Sequence, residues 1–123
     1  LIGTNVVIDN DCIVGDNCSF QTGAYIPTGS RIGNRVFIGP NASLTNDKTP
    51  LRTEYKLEKI TVEDDATVGS NATLMPGITV GEGAFIAGGA VVTKDVPAWH
   101  IAKGCPAVFE ELPESLKKPN RLG

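Results

Sequence analysis

Side chains able to perform acid–base chemistry are concentrated in one polar segment, residues 45–59, with the sequence TNDKTPLRTEYKLEK. Its carboxylates, on Asp47, Glu54 and Glu58, are the candidates for a general base. Asn46 precedes Asp47, and neighbouring side chains of an extended segment point to opposite faces. The same charges would also suit a solvated surface insertion without a chemical role.

The chain has a single histidine, His100, which lies outside this segment and follows Val96-Pro97-Ala98-Trp99. We expect His100 to be structural or merely exposed. A catalytic zinc site needs three protein ligands, commonly histidines. The sequence therefore predicts no metal cofactor.

The three cysteines do not make a disulfide framework. Cys12 and Cys18 are predicted to be core thiols, and Cys105 lies in a Gly-Cys-Pro turn with no base nearby to activate it. This usage suits a reducing, cytoplasmic compartment. The net charge of −3 argues against a nucleic-acid partner, and no apolar run approaches the roughly 18 residues of a membrane span.

A six-residue repeat of aliphatic and aromatic residues predicts the elements that position these side chains. The repeat stops after Leu44 and resumes in the same phase at Val62. Its members are Ile2, Ile8, Val14, Phe20, Ile26, Ile32, Ile38 and Leu44, then Val62, Val68, Leu74, Val80, Ile86 and Val92. Neither a helix, with a period of about 3.6, nor an ordinary strand, with a period of about 2, produces such spacing. It is typical of a parallel β-helix built from hexapeptide turns.

The other positions of the hexad support this interpretation. Leaving aside Leu44, where the repeat stops, the residue three positions after each repeat member is Asn, Asp or Gly, with Arg35 as the exception, and Asp95 is the last of the series. These residue types enter the left-handed backbone region most easily, so we expect one bend with positive φ per hexad. Three sides then close a triangular coil of about 18 residues, and coils stack about 4.8 Å apart.

We expect a single domain over residues 1–123 with a quasi-one-dimensional core. Residues 45–59 are predicted to be an extruded loop, because Pro50 and Lys56 occupy positions of the repeat. The repeats end at Val96, and residues 97–123 form a tail that should cap the prism. Within that tail we predict a short helix between about Val108 and Lys118. Pro113 offers Glu114 as an alternative start of this helix.

The stretches IGNRVFIGPNASLTND and VGSNATLMPGITVGEGAFIAGGAVVTKDVPAWHIAKGCPA resemble the hexapeptide-repeat acyltransferases. The resemblance covers about residues 1–108. It implies an all-β fold, a left-handed parallel β-helix, and acetyl transfer from acetyl-CoA as cosubstrate. It also implies a homotrimer whose active site lies in the groove between neighbouring prisms, with the extruded loop helping to form that site.

Within the family, the segment FIGPNASLTND and the KTPLR that follows are most similar to nucleotide-sugar N-acetyltransferases acting on a 3-amino group. Those enzymes carry a Thr-Asn pair, which Thr45-Asn46 matches here. The resemblance implies that Asn46 lies beside the sugar amine and the thioester, and Asp47 is the secondary catalytic candidate. Many O-acetyltransferases of the superfamily have a histidine near the start of the loop, where this chain has Pro40 and Asn41.

The lack of that histidine favours an amine acceptor over a hydroxyl. An alcohol is barely ionised near neutral pH and needs a general base, most often histidine. An amino group with a pKa of roughly 8 is partly neutral already, and it can attack a thioester held in the right geometry. The departing thiolate, with a pKa of about 8.5, can take up the proton.

The resemblance also places coenzyme A contacts on successive coils. The matching positions are Ser70, Gly88, Thr93, Lys94, Lys103 and Pro106. Lys94 and Lys103 would supply positive charge to a phosphate, and Pro106 would contact the adenine end. Lys94 could instead be a solvated corner lysine. The GCPA turn departs from the family's usual Asn in its second place, which puts a side-chain contact there in doubt.

The sequence therefore predicts an acetyl-CoA-dependent N-acetyltransferase acting on a nucleotide-linked amino sugar. Two alternatives stay open. One is an acetyltransferase for another small amine or a hydroxyl acceptor, and the other is a non-catalytic hexapeptide-repeat scaffold.

Overall fold

The computed structural model describes residues 1–54 and 56–123. In this part of the chain thirteen two-residue strands follow the repeat, one for each repeat member from Ile8 to Val92, and Ile2 forms an isolated bridge with Phe20. They are β1 (Val7–Ile8), β2 (Ile13–Val14), β3 (Ser19–Phe20), β4 (Tyr25–Ile26), β5 (Arg31–Ile32), β6 (Phe37–Ile38), β7 (Ser43–Leu44), β8 (Thr61–Val62), β9 (Thr67–Val68), β10 (Thr73–Leu74), β11 (Thr79–Val80), β12 (Phe85–Ile86) and β13 (Val91–Val92). Two longer strands, β14 (His100–Gly104) and β15 (Ala107–Glu111), precede a 3-10 turn at Glu114–Leu116.

The strands form the three walls of a triangular prism. Sheet 1 has the order β1-β4-β7-β10-β13, sheet 2 the order β2-β5-β8-β11, and sheet 3 the order β3-β6-β9-β12-β14-β15. Successive strands of each wall are parallel up to β14. We name the corners edge 1–2, edge 2–3 and edge 3–1 after the sheets they join. The predicted all-β, left-handed parallel β-helix of hexapeptide repeats is confirmed.

The register shows how the prism accommodates the interruption. Strand partners before it lie 18 residues apart, as in Val7 with Tyr25, whereas Ser43 pairs with Thr73, 30 residues later. The extra length is two hexads, so the inward and outward faces keep their phase on both sides of the loop. The extruded loop leaves the prism at edge 1–2, between β7 and β8.

The core is a column of inward-facing repeat residues. Phe20, Ile26, Ile38, Leu44 and Leu74 are 0% exposed. Each small inward position between them is also closed, and Ile60 fills the first such position after the loop. By contrast, the repeat residues of the first coil remain partly exposed, because only one of its two faces is covered by another coil.

The predicted left-handed corners are observed at all positions but one. Asn41 and Asn71 have φ of 58°, and Gly29 and Gly77 have φ of 82° and 80°. The exception is Asp95, which is not among the residues with positive φ. The final coil is two residues shorter there, since Val96 pairs with Val80, and Trp99 takes the next left-handed corner with φ of 58°.

Arg35, the one residue of unusual type in the corner pattern, also adopts positive φ, at 52°. Its guanidinium forms two hydrogen bonds with Asp65 in the next coil, from Nε to Oδ1 at 2.8 Å and from Nη2 to Oδ2 at 3.0 Å. This fork geometry suits a carboxylate. The bond from Arg35 lowers the pKa of the Asp65 carboxyl below its ordinary value.

The helix predicted over Val108–Lys118 is wrong for most of its length. Gly104, with φ of 92°, lets the chain reverse, and β15 pairs antiparallel with β14. Ala107 and Phe109 pack toward the core while Val108 is exposed, so this segment follows a strand period rather than a helical one. Only Glu114–Leu116 is helical, as a single 3-10 turn.

The end of the tail returns along edge 2–3. Asn120 donates from Nδ2 to the carbonyl oxygens of Arg35 and Ala66 at 2.9 and 3.0 Å. Its backbone N–H donates to Asp65 Oδ1 at 3.0 Å. The hairpin stacks on the last coil because β14 pairs with β12. Residues 117–123 then lie along the side of the prism.

Candidate active site

Asn46, the second residue of the extruded loop, is held by the structure at edge 1–2. Asn46 Nδ2 donates to the carbonyl oxygen of Thr28, one coil earlier, at 3.2 Å. The carbonyl of Asn46 accepts the amide of Glu58 at 2.8 Å. Thr45 is fixed in turn by its hydroxyl, which donates to the carbonyl of Leu74 at 2.8 Å. The side chain predicted to be central is therefore positioned by three coils.

Glu58 closes the base of the loop. Its carbonyl accepts the amide of Gly77 at 3.1 Å, the contact that a corner residue makes elsewhere in the prism. Its carboxylate pairs with Lys48 at 3.4 Å. The loop encloses an open cavity of about 630 Å³, lined by Asp47, Lys48, Thr49, Thr53, Glu54, Lys56 and Glu58.

Asp47 is half-buried, and its Oδ1 accepts the amide of Thr49 at 3.0 Å. This is a local turn contact, which stabilises the start of the loop. The structure gives Asp47 this structural task, and its role as a secondary base stays a prediction.

The predicted coenzyme A residues fall on two edges. Thr93 and Lys94 lie on edge 1–2, two coils beyond Asn46, and both are exposed. Ser70 and Gly88 lie on edge 3–1, stacked directly: the amide of Gly89 donates to the carbonyl of Ser70 at 2.8 Å. A side chain at Gly88 would contact that same carbonyl at 3.4 Å, so glycine keeps this corner open to a ligand.

Lys103, near the end of β14, and Pro106, in the turn that follows, continue edge 3–1. Lys103 forms an ion pair with Glu110, which reduces the positive charge that it could offer to a phosphate. Pro106 is exposed. All eight predicted site residues therefore border sheet 1, with four on each of its two edges. In the described part of the chain, the four on edge 1–2 and the four on edge 3–1 do not line a common pocket.

His100 begins β14, beside edge 2–3, and its Nδ1 bonds to the carbonyl of Ala98 at 2.8 Å. It does not lie on either edge of sheet 1. The thiols of Cys12 and Cys18 donate to the carbonyls of Pro27 and Gly33, both at 3.1 Å, and pack against the core. Cys105 is exposed.

Sequence reasoning missed two cations at the site, Arg31 and Lys59. Arg31 Nη1 donates to the carbonyls of Gly29 and Asp11 at 3.0 and 3.1 Å, so its side chain folds back onto edge 1–2. A Cβ built on Gly29 would lie 3.7 Å from that of Lys59. A usable signal was the position of Lys59, immediately before the residue that re-enters the core.

The repeats match a known family over residues 11–46 and 59–94, described as bacterial transferase hexapeptide (six repeats). The break between the two matched ranges is the extruded loop. This chain belongs to the bacterial hexapeptide transferase family. The match covers more than half of its length and the strands of all three walls.

Relatives of this hexapeptide protein are named as acetyltransferases. A putative acetyltransferase of Schizosaccharomyces pombe is 36% identical over 85% of the chain, which covers 52% of that protein. A 2,3,4,5-tetrahydropyridine-2,6-dicarboxylate N-acetyltransferase of Staphylococcus aureus is 39% identical over 61% of the chain, which covers 30% of it. The chain thus spans about half, or less, of the length of these curated relatives.

A solved structure of a maltose O-acetyltransferase from Clostridium difficile shares the fold. It has a TM-score of 0.83 and 24% identity, covering 92% of this chain and 66% of the other. The Staphylococcus aureus relative is thus named for an amine acceptor, and this structural neighbour for a hydroxyl acceptor. Within residues 1–54 and 56–123, no helix is long and apolar enough to cross a membrane.

Proposed function

We propose that this hexapeptide protein is an acetyl-CoA-dependent N-acetyltransferase that acts on the amino group of a nucleotide-linked amino sugar. The observation that carries the proposal is the setting of Asn46: a fixed amide at the base of the loop, with the single histidine on another part of the prism. The acetyltransferase names of its relatives support the acetyl group as the unit transferred.

Asn46 can orient a nucleophilic amine without accepting a full proton. A primary amide has two N–H donors and one oxygen acceptor. One donor is used on Thr28, and within the described residues the oxygen Oδ1 accepts no hydrogen bond. That oxygen can accept an N–H of the acceptor amine and so direct the nitrogen lone pair at the thioester carbon.

The reaction then needs no protein base. The neutral amine attacks the acetyl carbon, a C–N bond forms, and the C–S bond of the tetrahedral intermediate breaks. The proton lost by nitrogen is taken up by the departing coenzyme A thiolate, whose pKa of about 8.5 suits this role. The products are the acetamido sugar and free coenzyme A.

Sheet 1 is the surface proposed for the pantetheine arm. Ser70 and Gly88 border it on one side, and Thr93 and Lys94 border it on the other. The exposed corner at Gly88 and the ammonium of Lys94, which forms no ion pair within residues 1–54 and 56–123, support coenzyme A binding along this wall. We further propose a homotrimer in which a neighbouring prism completes the groove, and a cytoplasmic location.

Calorimetry with coenzyme A tests the enzyme proposal against the scaffold alternative. We expect saturable binding that Lys94→Gln weakens by about 5- to 10-fold, as for the loss of one charged contact. Lys118→Gln, an exposed lysine on the tail, is the matched control and should leave affinity unchanged. Absence of coenzyme A binding by the wild-type chain would leave the scaffold alternative.

A further inference from the structure

Three side chains converge on one four-residue corner of edge 1–2, residues 28–31. The Asn46 amide binds the carbonyl of Thr28 at 3.2 Å. The stem of Lys59 packs beside Gly29, and the guanidinium of Arg31 binds the carbonyl of that same glycine at 3.0 Å. The proposed catalytic amide and two cations therefore share one small surface.

Both cations are without an acidic partner in the described part of the chain, where the ion pairs involve other residues. The carboxylates on this edge form hydrogen bonds with other groups. Asp9 accepts the hydroxyl of Tyr25 at 2.7 Å, Asp11 accepts the side-chain amide of Asn10 at 3.3 Å, and Asp47 accepts the amide of Thr49. The charge at this corner is therefore available to a ligand.

Arg31 is oriented to bind a phosphate group. Its contacts with the carbonyls of Asp11, Gly29 and Ser30 all use Nη1. These contacts hold the guanidinium plane in place and leave Nε and Nη2 as donors. Arginine presents such a fork to phosphate in a geometry that lysine cannot reproduce.

We propose that Arg31 and Lys59 form the subsite that binds the phosphate groups of the acceptor. This inference rests on the proposed function. The proposed coenzyme A residues lie in coils on the C-terminal side of Asn46, whereas the corner at 28–31 lies one coil toward the N-terminus. Two substrates that meet at Asn46 approach it from opposite directions, so this corner faces the acceptor.

The neighbouring groove on sheet 2 restricts where the anion can lie. This groove, of about 390 Å³, has Arg31 on one side and the carboxylates of Glu63, Asp64 and Glu82 among its other lining residues. Those three carboxylates repel an anion inside the groove. The phosphate groups are consequently confined to the edge, beside Lys59.

Coenzyme A also carries phosphate groups, so the test compares the two sources. The binding of uridine diphosphate, thymidine diphosphate, inorganic pyrophosphate and coenzyme A to the full chain is measured by calorimetry. Lys59→Gln should weaken the better nucleoside diphosphate by at least about 5-fold, and Arg31→Gln by about 10-fold or more. Coenzyme A affinity should stay within about twofold, and Lys118→Gln should change neither ligand.

A loss of affinity that falls on coenzyme A and spares the diphosphates would overturn the subsite while leaving the enzyme proposal intact. So would a protein that binds coenzyme A but none of the diphosphates. If coenzyme A does not bind, the enzyme proposal fails, and the diphosphate titration still reports on the subsite. Lys59 is exposed, so its variant keeps the test valid should Arg31→Gln fail to fold.

Discussion

In the proposed reaction, Asn46 owes its chemical role to its setting. Its side chain is tied to Thr28 and its backbone to Glu58, so the amide cannot rotate away when a ligand enters. Orientation of this kind contributes to catalysis by raising the fraction of productive encounters. It does not require a shifted pKa.

At the residue scale, Asn46→Ala should lower kcat for amine acetylation by about 10- to 100-fold, as expected for the loss of an orienting contact. Coenzyme A affinity should be unchanged. Asn5→Gly, at an exposed left-handed corner of the first coil, is the matched control. Steady-state kinetics with calorimetry would separate the two effects. Unchanged kcat in Asn46→Ala would refute the assignment.

The pH dependence of kcat/KM also reports on individual residues. Without a protein base, kcat/KM should rise with pH and level off near the pKa of the acceptor amine, roughly 8. His100→Gln should leave the profile unchanged, because this side chain lies beside edge 2–3. A limb of the profile that His100→Gln abolishes would show that the histidine takes part.

At the scale of elements, two glycine corners with similar backbone conformations differ in the side chains around them. Gly83 and Gly89 have φ of 65° and 72°. A Cβ on Gly83 would lie within the ring of Trp99, whereas a Cβ on Gly89 would meet nothing within 4 Å. The first glycine leaves room for the ring of Trp99, and the second only permits the bend.

Gly89→Ala should therefore cost about 1–2 kcal/mol, the penalty for an L-residue in the left-handed region. Gly83→Ala should cost at least about 2 kcal/mol more, because Trp99 must leave its site. Urea unfolding of both variants measures the difference. Equal losses would mean that Trp99 adds nothing to the stability of the last coil.

The Arg35–Asp65–Asn120 contact links coils to the tail along edge 2–3. Asp65→Asn keeps a residue that tolerates positive φ but removes the charge. We expect a lower Tm at pH 7, with Asp16→Asn, an exposed residue of the first coil, as the control. Since the pKa of Asp65 is lowered by folding, its contribution is complete above the ordinary carboxyl value of about 3.9 and is lost as the pH falls below it.

Thermal unfolding at several pH values would test this sign. The Tm difference between wild type and Asp65→Asn should shrink in acid, as the wild-type carboxyl becomes protonated. A difference that grows toward low pH would contradict a stabilising charge on Asp65.

At the scale of the whole molecule, a strict period was enough to predict the prism. Each hexad places one residue such as Ile38 or Leu74 inside, so a single spacing determines every wall. The tail has no such repeat, so no single spacing predicts its structure. Charged residues such as Glu110 and Glu111 favoured a helix locally, but pairing with β14 made the segment a strand. Tertiary contact of this kind has no local signal.

The candidate site was predictable only in part for a related reason. The interruption located the segment 45–59, and the match of Thr45-Asn46 to the Thr-Asn pair of the resembling enzymes singled out Asn46 within it. Arg31 lies on an intact strand, and its side chain turns back to a corner that also receives Lys59 from the far end of the loop. Two residues separated by a loop in sequence are brought together by the stacking of coils.

We propose that the interrupted prism acetylates an amine without a protein base. A direct test uses two nucleotide sugars that differ only in an amino or a hydroxyl group at the sugar 3-position, with acetyl-CoA, and follows release of the coenzyme A thiol. We expect turnover of the amino sugar to exceed that of its hydroxyl counterpart by at least about 100-fold. Equal turnover of the two, or turnover of the hydroxyl sugar alone, would contradict the account.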